Sequence, residues 1–600
     1  MALVKEGVIN MGAIFFGGAL LSTLIFGRYF CGWGCHVLLL QDACASGLRR
    51  LGIRPHAFRS RLLIFIPLIL ALYMFVWPLA YRFAIAPWLE PNLRWHGFSL
   101  ELATSNFWAT FPGVAVAVPF LLVCGFLCVY LVGSKGYCTY GCPYGGFFAP
   151  IDELAVGRIR VTDACEHCGH CTAACTSNVR VHEEVRDYGM VIDPGCMKCM
   201  DCVSVCPNDA LYFGFGAPAI VARNRPEAPT RERRYDLTWG EDIALAALAL
   251  VTFLSVRGVY GLVPLLMASG VTICVVFVVW KAWCVLRRPN VNLHGLQLRL
   301  RGRVTGAGVA IVALAAALLL LVAHSGVVNG AFTLASFLDR KIDMEAELVF
   351  SPVPRELAPS RKPVAEAALR YYDLASYIDD GGLGLSWNWQ PFIDMRRAWL
   401  LSTLHEFEAA EAVLKRSIEQ YGSAEALEAG LVRVLRVQHK GEEADARVES
   451  VFAAHPEFAG FADEHVAWLA SEDRTRDAIE FSRRVFAANP DNLNVMRRLS
   501  LLLVLYGNDG PELDEGVELV RRTLEIEPSN GFGWYALAMG QGRQEKLEEA
   551  VVSLRRAVEL APMSASIHRT LGELLIELGQ TKEGEAYLRS AEALDPRGSS

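Results

Sequence analysis

The chain has 600 residues, room for several domains, with 53% hydrophobic and only 20% charged residues, a balance that leans toward the membrane. Its net charge of −7 argues for neither a nucleic-acid nor an acidic partner. The start, MALVKEGVIN, has no basic n-region and no A-x-A-like site closes its apolar run, so the reading is an uncleaved span, not a signal peptide.

Taken in order, charge-free runs long enough to cross a bilayer cover Val8–Phe26, Leu62–Tyr81 and Phe111–Val132. After a cysteine-rich stretch come Ile243–Val256 and Gly258–Trp280, a hairpin of spans broken at Arg257, and then Val304–Ala323. Arginines crowd the loops holding Arg49, Arg50 and Arg61, then Arg223 and Arg225, then Arg287, Arg288 and Arg299, whereas the loop between the second and third spans carries only Arg82 and Arg94. With six spans all the basic loops fall on one side, which the positive-inside rule makes cytoplasmic. The cysteine-rich segment then faces the cytoplasm, and the residues after Ala323 leave on the other side, the periplasm of a Gram-negative cell. If Ile243–Val256 does not cross, the tail moves to the cytoplasm.

The cysteine-rich stretch reads CEHCGHCTAAC, then, after twenty residues, CMKCMDCVSVCP. Each half is C-x2-C-x2-C-x3-C, the spacing in which three thiolates wrap one face of an iron–sulfur cube and the fourth reaches the other cluster. The expected ligand sets are Cys165, Cys168, Cys171 and Cys206 for one [4Fe-4S] cluster, and Cys196, Cys199, Cys202 and Cys175 for the second. Zinc expects four ligands in two close pairs instead. Thiolate ligation also requires a reducing compartment. Pro207 follows Cys206 as the bacterial pattern expects, whereas Thr176 follows Cys175. His167 and His170, interleaved with the ligands, are read as hydrogen-bonding the cluster sulfurs.

Two further pairs lie just past the first and third spans: Cys31 and Cys35 in FCGWGCH, and Cys138 and Cys142 in YCTYGCP. Both are C-x3-C with an aromatic residue and a glycine between the cysteines. Four thiols at one membrane edge could hold a metal or a further cluster, or cycle between dithiol and disulfide. Haem attachment is excluded by spacing, which would be C-x2-C-H. Cys124 and Cys128, four apart in the third span, share a helix face and read as packing, as do Cys44, Cys274 and Cys284. In the outward loop Glu90, Arg94, Trp95 and His96 offer a quinone head-group site, although an interfacial aromatic belt accounts for the tryptophan equally well.

Residues 324–390 read as a linker and capping segment with a Pro-rich and a Gly/Trp-rich patch. From 391 the chain becomes amphipathic and repetitive: Pro456, Pro490, Pro528, Pro562 and Pro596 close successive units at steps of 34, 38, 34 and 34 residues, the longer step containing GNDGPE. This resembles the 34-residue tetratricopeptide repeat, whose helix pairs stack into a superhelix with a concave docking surface.

Spans bracketing FCGWGC and YCTYGCP, followed by a two-cluster ferredoxin, resemble the polyferredoxin-like membrane proteins of the NapH (quinol dehydrogenase subunit), NosR and CcoG (oxidase maturation) type. The resemblance covers residues 10 to 215. In that family both C-x3-C pairs usually end in proline; Cys142–Pro143 fits and Cys35–His36 departs.

The fold expected is mostly α: a polytopic membrane domain with three spans and both C-x3-C motifs (1–157), a two-[4Fe-4S] ferredoxin-like insertion (158–216), a linker with about three further spans (217–323), the capping segment (324–390) and an α-solenoid of repeats (391–600). The resemblance implies electron transfer between the quinone pool and a redox partner protein, at a lipid membrane, with the repeats docking a protein partner and no nucleic acid involved. The alternatives are a maturation factor that reduces a metal such as copper for a membrane oxidase, and an iron–sulfur sensor or scaffold.

Overall fold

The computed structural model describes residues 8–53, 58–85, 99–100, 102, 113–177, 179–225, 235–351 and 353–595. It divides into two compact units, Met1–Thr333 with Gly382–Asn388, and Leu334–Gly381 with Trp389–Ser600. Helices dominate both units, and the fold is mostly α as expected.

Among the described residues five helices are long and apolar enough to cross a membrane: Leu63–Ala84, Val114–Val132, Trp239–Val256, Leu265–Arg287 and Gly306–Asp339. The Met11–Phe26 helix is shorter than the run read from sequence, because the Asn10 side chain caps it by accepting from Ala13 N at 2.9 Å. Its 16 residues rise about 24 Å, less than the ~30 Å of a hydrocarbon core.

The Trp239–Val256 helix departs the other way. Its sequence reading began at Ile243 because Glu241 and Asp242 are charged. Instead Thr238 and Glu241 form a capping box, and Asp242 is buried, accepting from Ser60 Oγ at 2.5 Å and Arg61 Nη1 at 3.3 Å. The extra turn brings the helix to 18 residues, about 27 Å. The chain then reverses through Gly258 and Tyr260, both at positive φ, so the next helix starts at Leu265 behind Pro264. Asn329 on the last helix donates to the carbonyls of Leu254 (3.0 Å) and Arg257 (3.1 Å), satisfying acceptors that the helix end leaves free.

One end of this unit gathers the chain ends that matter for the site. Phe58 O accepts from Tyr140 Oη, Ser60 meets Asp242, and His294 Nε2 lies 2.7 Å from Tyr130 O. His294 sits in the turn between the first two strands of a small three-stranded sheet, Val291–Leu293, Leu296–Leu300 and Arg303–Val304. At the same end a two-stranded antiparallel ribbon, Gly157–Val161 with Leu211–Phe215, brackets the eight-cysteine segment. Ile159, Val179, Val185, Val191 and Leu211 form that segment's own small core, which also takes in Cys171, Cys196 and Cys202.

In the second unit Asp339 is buried under a bidentate pair with Arg396 (2.6 and 2.7 Å) and a 3.1 Å bond from Tyr372 Oη. From Gln390 to Leu594 twelve helices follow in pairs. Helix starts at Glu425, Ala459, Leu493, Gly531 and Ala565 repeat the steps of the proline pattern. The turn inside a pair falls on a left-handed residue at equivalent places: His405, His439, Asp473, Glu545 and Gly579. The longer step is absorbed by Gly507–Gly510, where Arg543 donates to Gly507 O at 2.8 Å and Asp509 Oδ1 at 2.6 Å.

Candidate functional site

The two halves of the eight-cysteine segment fold alike. In the first, His167 and Gly169 have φ of 56° and 81°; in the second, Lys198 and Met200 have 53° and 70°. These are the second and fourth residues after Cys165 and Cys196, and three of the four are not glycine, so the same strained curl is imposed twice. Successive left- and right-handed residues turn backbone N–H groups inward around an anionic centre. Gly169 and Met200 then start the short helices His170–Ala174 and Asp201–Ser204.

Cys165, Cys168, Cys171 and Cys206 line one cavity together, the set read from spacing. Burial, together with the nearby Cys196 and Cys199 and against backbone hydrogen bonds from Val179 and Ser177, pushes the Cys175 thiol up to about 12. All seventeen cysteines are free. Among the described residues no three His, Cys, Asp or Glu side chains are placed to hold a single metal ion. A mononuclear zinc would draw thiolates to about 3.8 Å of one another, whereas a cube needs its four corners farther apart. Two runs of four thiols are the donor set that a pair of [4Fe-4S] clusters would take. His170 Nδ1 stands 3.2 Å from Cys168 Sγ and His167 Nδ1 3.7 Å from Cys165 Sγ, the hydrogen-bonding places expected of them.

The C-x3-C pairs are built by one device used twice. Cys31 is the third residue of the five-residue helix Tyr29–Trp33, and Cys35 caps the next helix, His36–Arg50. Cys138 is the third residue of Gly136–Tyr140, and Cys142 caps Pro143–Leu154. The two pairs meet: Cys31, Cys35 and Cys138 pack with Leu38 and Met197, and Gln41 Nε2 lies 3.0 Å from Cys138 Sγ. Burial, then the approach of Cys31 and Cys35 against Arg28 and a Gly145 backbone bond, pushes the Cys142 thiol up to about 11.

Met197 is the link to the clusters, since it lies between Cys196 and Lys198. The Cys31–Cys35 turn is seated on this loop. Arg28 Nη1 donates to Pro194 O at 2.8 Å, and Trp33 Nε1 donates to Lys198 O at 3.0 Å. A Cβ on Gly32 would collide with Met197 O. The spare thiols and one cluster loop are thus in van der Waals contact, which spacing alone did not reveal.

Sequence reasoning also missed the charges beneath. Asp152 is fully buried and accepts from Lys198 Nζ (2.7 Å), Arg28 N (2.8 Å) and Arg158 Nη2 (3.3 Å), whose side chains are buried as well. Lys135 is 2% exposed and its ammonium has no hydrogen-bond partner among the described residues. Burial pulls it down, but Cys199, Asp42, Asp201 and Cys138 outweigh burial and keep it protonated. Four buried cations against one buried carboxylate would be costly unless anionic thiolates or a cluster face them. The only advance sign was Lys198, a charge set between cluster cysteines. The proposed quinone residues Glu90, Arg94, Trp95 and His96 lie outside the described residues.

The sequence pattern of a family described as a 4Fe-4S binding domain matches residues 10–54 and 115–162. Those segments carry the C-x3-C pairs and not the eight-cysteine stretch. Ferredoxin-type protein NapH of Haemophilus influenzae is 27% identical over 201 residues, 32% of this chain and 64% of that protein. Methylamine utilization ferredoxin-type protein MauN of Methylobacillus flagellatus is 27% identical over 156 residues, 25% of this chain and 49% of that protein. The chain thus spans between half and just under two thirds of these relatives. Among solved structures, the C-terminal part of a TPR repeat-containing protein from Cytophaga hutchinsonii is 14% identical, with a TM-score of 0.32, over 44% of this chain and 96% of that one. The first third of the chain is thus similar to ferredoxin-type proteins, and its two C-x3-C segments match the 4Fe-4S binding domain pattern.

Proposed function

We propose that the protein passes electrons between the membrane quinone pool and a redox partner protein. The observation that carries this reading is the seat of the Cys31–Cys35 turn on the Cys196–Cys199 loop. Cys165, Cys168, Cys171 and Cys206 would hold one [4Fe-4S] cluster, and Cys196, Cys199, Cys202 and Cys175 a second. Each cluster supplies a one-electron couple whose potential follows charge, hydrogen bonding and burial around its sulfurs. The chain's own part is to set those three. Lys135, Lys198 and Arg28 place positive charge beside the second ligand set, His170 donates toward Cys168, and Leu38, Met197 and Phe148 keep water away.

In this reading the C-x3-C thiols are the contact between the clusters and the bilayer. The arginine-rich end, with the cluster segment, faces the cytoplasm, and the repeats face the periplasm. The repeat groove takes a segment of the partner protein. A cavity of about 320 Å³ lined by Asp463, Asn494, Val495 and Arg498 offers carboxamide and charged groups for an extended peptide.

The test adds a short-chain quinol to the purified protein and follows cluster absorbance and EPR. Cluster reduction by quinol, or oxidation by quinone, is expected; no change in either direction overturns the reading. A reporter fused after Gln390 reads the orientation, and a cytoplasmic signal overturns the periplasmic placement.

A further inference from the structure

The spans contain a thiol set that neither the cluster ligands nor the C-x3-C pairs use. Cys128 Sγ lies 3.8 Å from Cys274 Sγ, on the facing helices Val114–Val132 and Leu265–Arg287. Spacing alone assigned both cysteines to packing. Two features single this contact out. The approach is enforced by Gly270, where any Cβ would strike Cys124 Sγ, so the helices close on the thiols. The segment just before Cys128, Leu121–Leu127, is π-helical, behind the in-helix Pro119. A π turn shifts the helix register and is frequent at functional sites; Leu72–Val76 and Tyr81–Ile85 are π-helical as well.

Access is the second observation. Cys274, with Val271, Val275, Tyr130 and Leu314, lines an apolar groove of about 560 Å³ between the spans. The groove is large enough for a ring-sized lipid-soluble molecule and carries almost no polar surface to bind a soluble one. Cys128 lies on the inner side, in the same packed cluster as Tyr137, and Cys142 and Cys274 both pack against that cluster. The pair therefore stands between the bilayer-facing groove and the Cys138–Cys142 turn.

We propose that Cys128 and Cys274 form a redox-active dithiol that exchanges an electron pair with a quinone bound in this groove. The proposal rests on the reading that quinone is the protein's membrane partner. In the exchange both S–H bonds break and one S–S bond forms between Cys128 and Cys274. The quinone takes the two electrons and two protons and leaves as quinol. The reverse reaction regenerates the thiols. Bringing the sulfurs from 3.8 Å to bonding distance needs a movement of about 1.8 Å, within reach of side-chain rotation.

The full-length protein in detergent is incubated under argon with an oxidised short-chain ubiquinone, then denatured, alkylated and digested. Mass spectrometry is expected to find the peptide pair joined through Cys128 and Cys274, with about one quinol formed per chain, and excess quinol is expected to reopen it. Cys128→Ser and Cys274→Ser lose the link and the matching quinol. Cys124→Ser, on the same helix face, keeps both. No link in the wild type, or equal linkage without quinone, overturns the proposal. Loss in all three variants marks a packing defect and also overturns it. Cluster spectra from the same samples separate the two readings. A link without any cluster response leaves the dithiol standing and overturns cluster-mediated electron transfer; a cluster response without a link does the reverse.

Discussion

Lys198 Nζ lies 2.7 Å from Asp152 Oδ1, and both side chains are withdrawn from solvent. This pair joins the cluster loop to the helix that follows the second C-x3-C turn. Breaking a buried pair by removing one partner strands the other charge, at a cost of about 3–5 kcal/mol. Asp152→Asn leaves Lys198 and Arg158 without their carboxylate. The variant is expected to lose thermal stability by that order and to bleach its cluster absorbance at lower temperature than wild type. Heating both while following visible absorbance and circular dichroism checks this.

Gly32 touches Met197 O so closely that a methyl group there forces the two loops apart. Gly32→Ala is expected to keep full iron and sulfide, because no ligand is touched, while slowing quinol-driven cluster reduction about tenfold or more, since electron transfer between the loops depends on their contact. Iron analysis and stopped-flow absorbance on one preparation separate the two effects.

Lys135 supplies a buried positive charge beside Cys199, with no hydrogen bond among the described residues to anchor it elsewhere. Lys135→Met removes that charge at similar volume. The potential of the nearer cluster is expected to fall by on the order of 50 mV, because the reduced, more negative state loses the larger share of its stabilisation. An EPR-monitored redox titration reads it directly.

The repeat domain should lose stability in two acid steps. Burial, then Arg436, lowers the His465 pKa to about 4 from its ordinary value near 6.5. The folded state therefore prefers neutral His465. Its contribution is complete above about pH 6.5 and is lost as pH falls toward 4. Burial raises the Glu411 carboxyl, but hydrogen bonds from Lys415, Lys440 and Gln438 outweigh burial and bring it to about 2. Its contribution is present above about pH 4.5 and is lost as pH falls toward 2. His465→Gln is expected to flatten the first step and leave the second. Thermal unfolding of the repeat transition across pH 7 to 2 tests both windows.

The eight-cysteine register was legible because ligands to one cube would have to recur at short fixed steps, and Cys165, Cys168, Cys171 and Cys206 line one cavity. The repeats were legible for a similar reason: from Glu425 onward the helix pairs are followed by proline and turn at left-handed residues. Contacts between distant stretches were not legible. Nothing local marks Asp152 as the partner of a lysine 46 residues on, and Glu241 and Asp242 read as loop charges until their capping and burial are seen. Cys128 and Cys274, 146 residues apart, look like two ordinary apolar cysteines until the helices are paired.

Gly157 and Phe215 are directly opposite partners in the ribbon that opens and closes the cluster segment. The segment therefore leaves and rejoins the membrane part at a single point, and the flanking helices keep their separation whatever lies between. A domain attached in this way can lengthen, shorten or be exchanged for another two-cluster unit without moving the bilayer-facing helices, provided the Arg28, Trp33 and Asp152 contacts find matching backbone and charge. The membrane part thereby becomes a socket whose hydrogen bonds to the inserted segment come from Arg28, Trp33 and Asp152, set around the apolar seat of Met197.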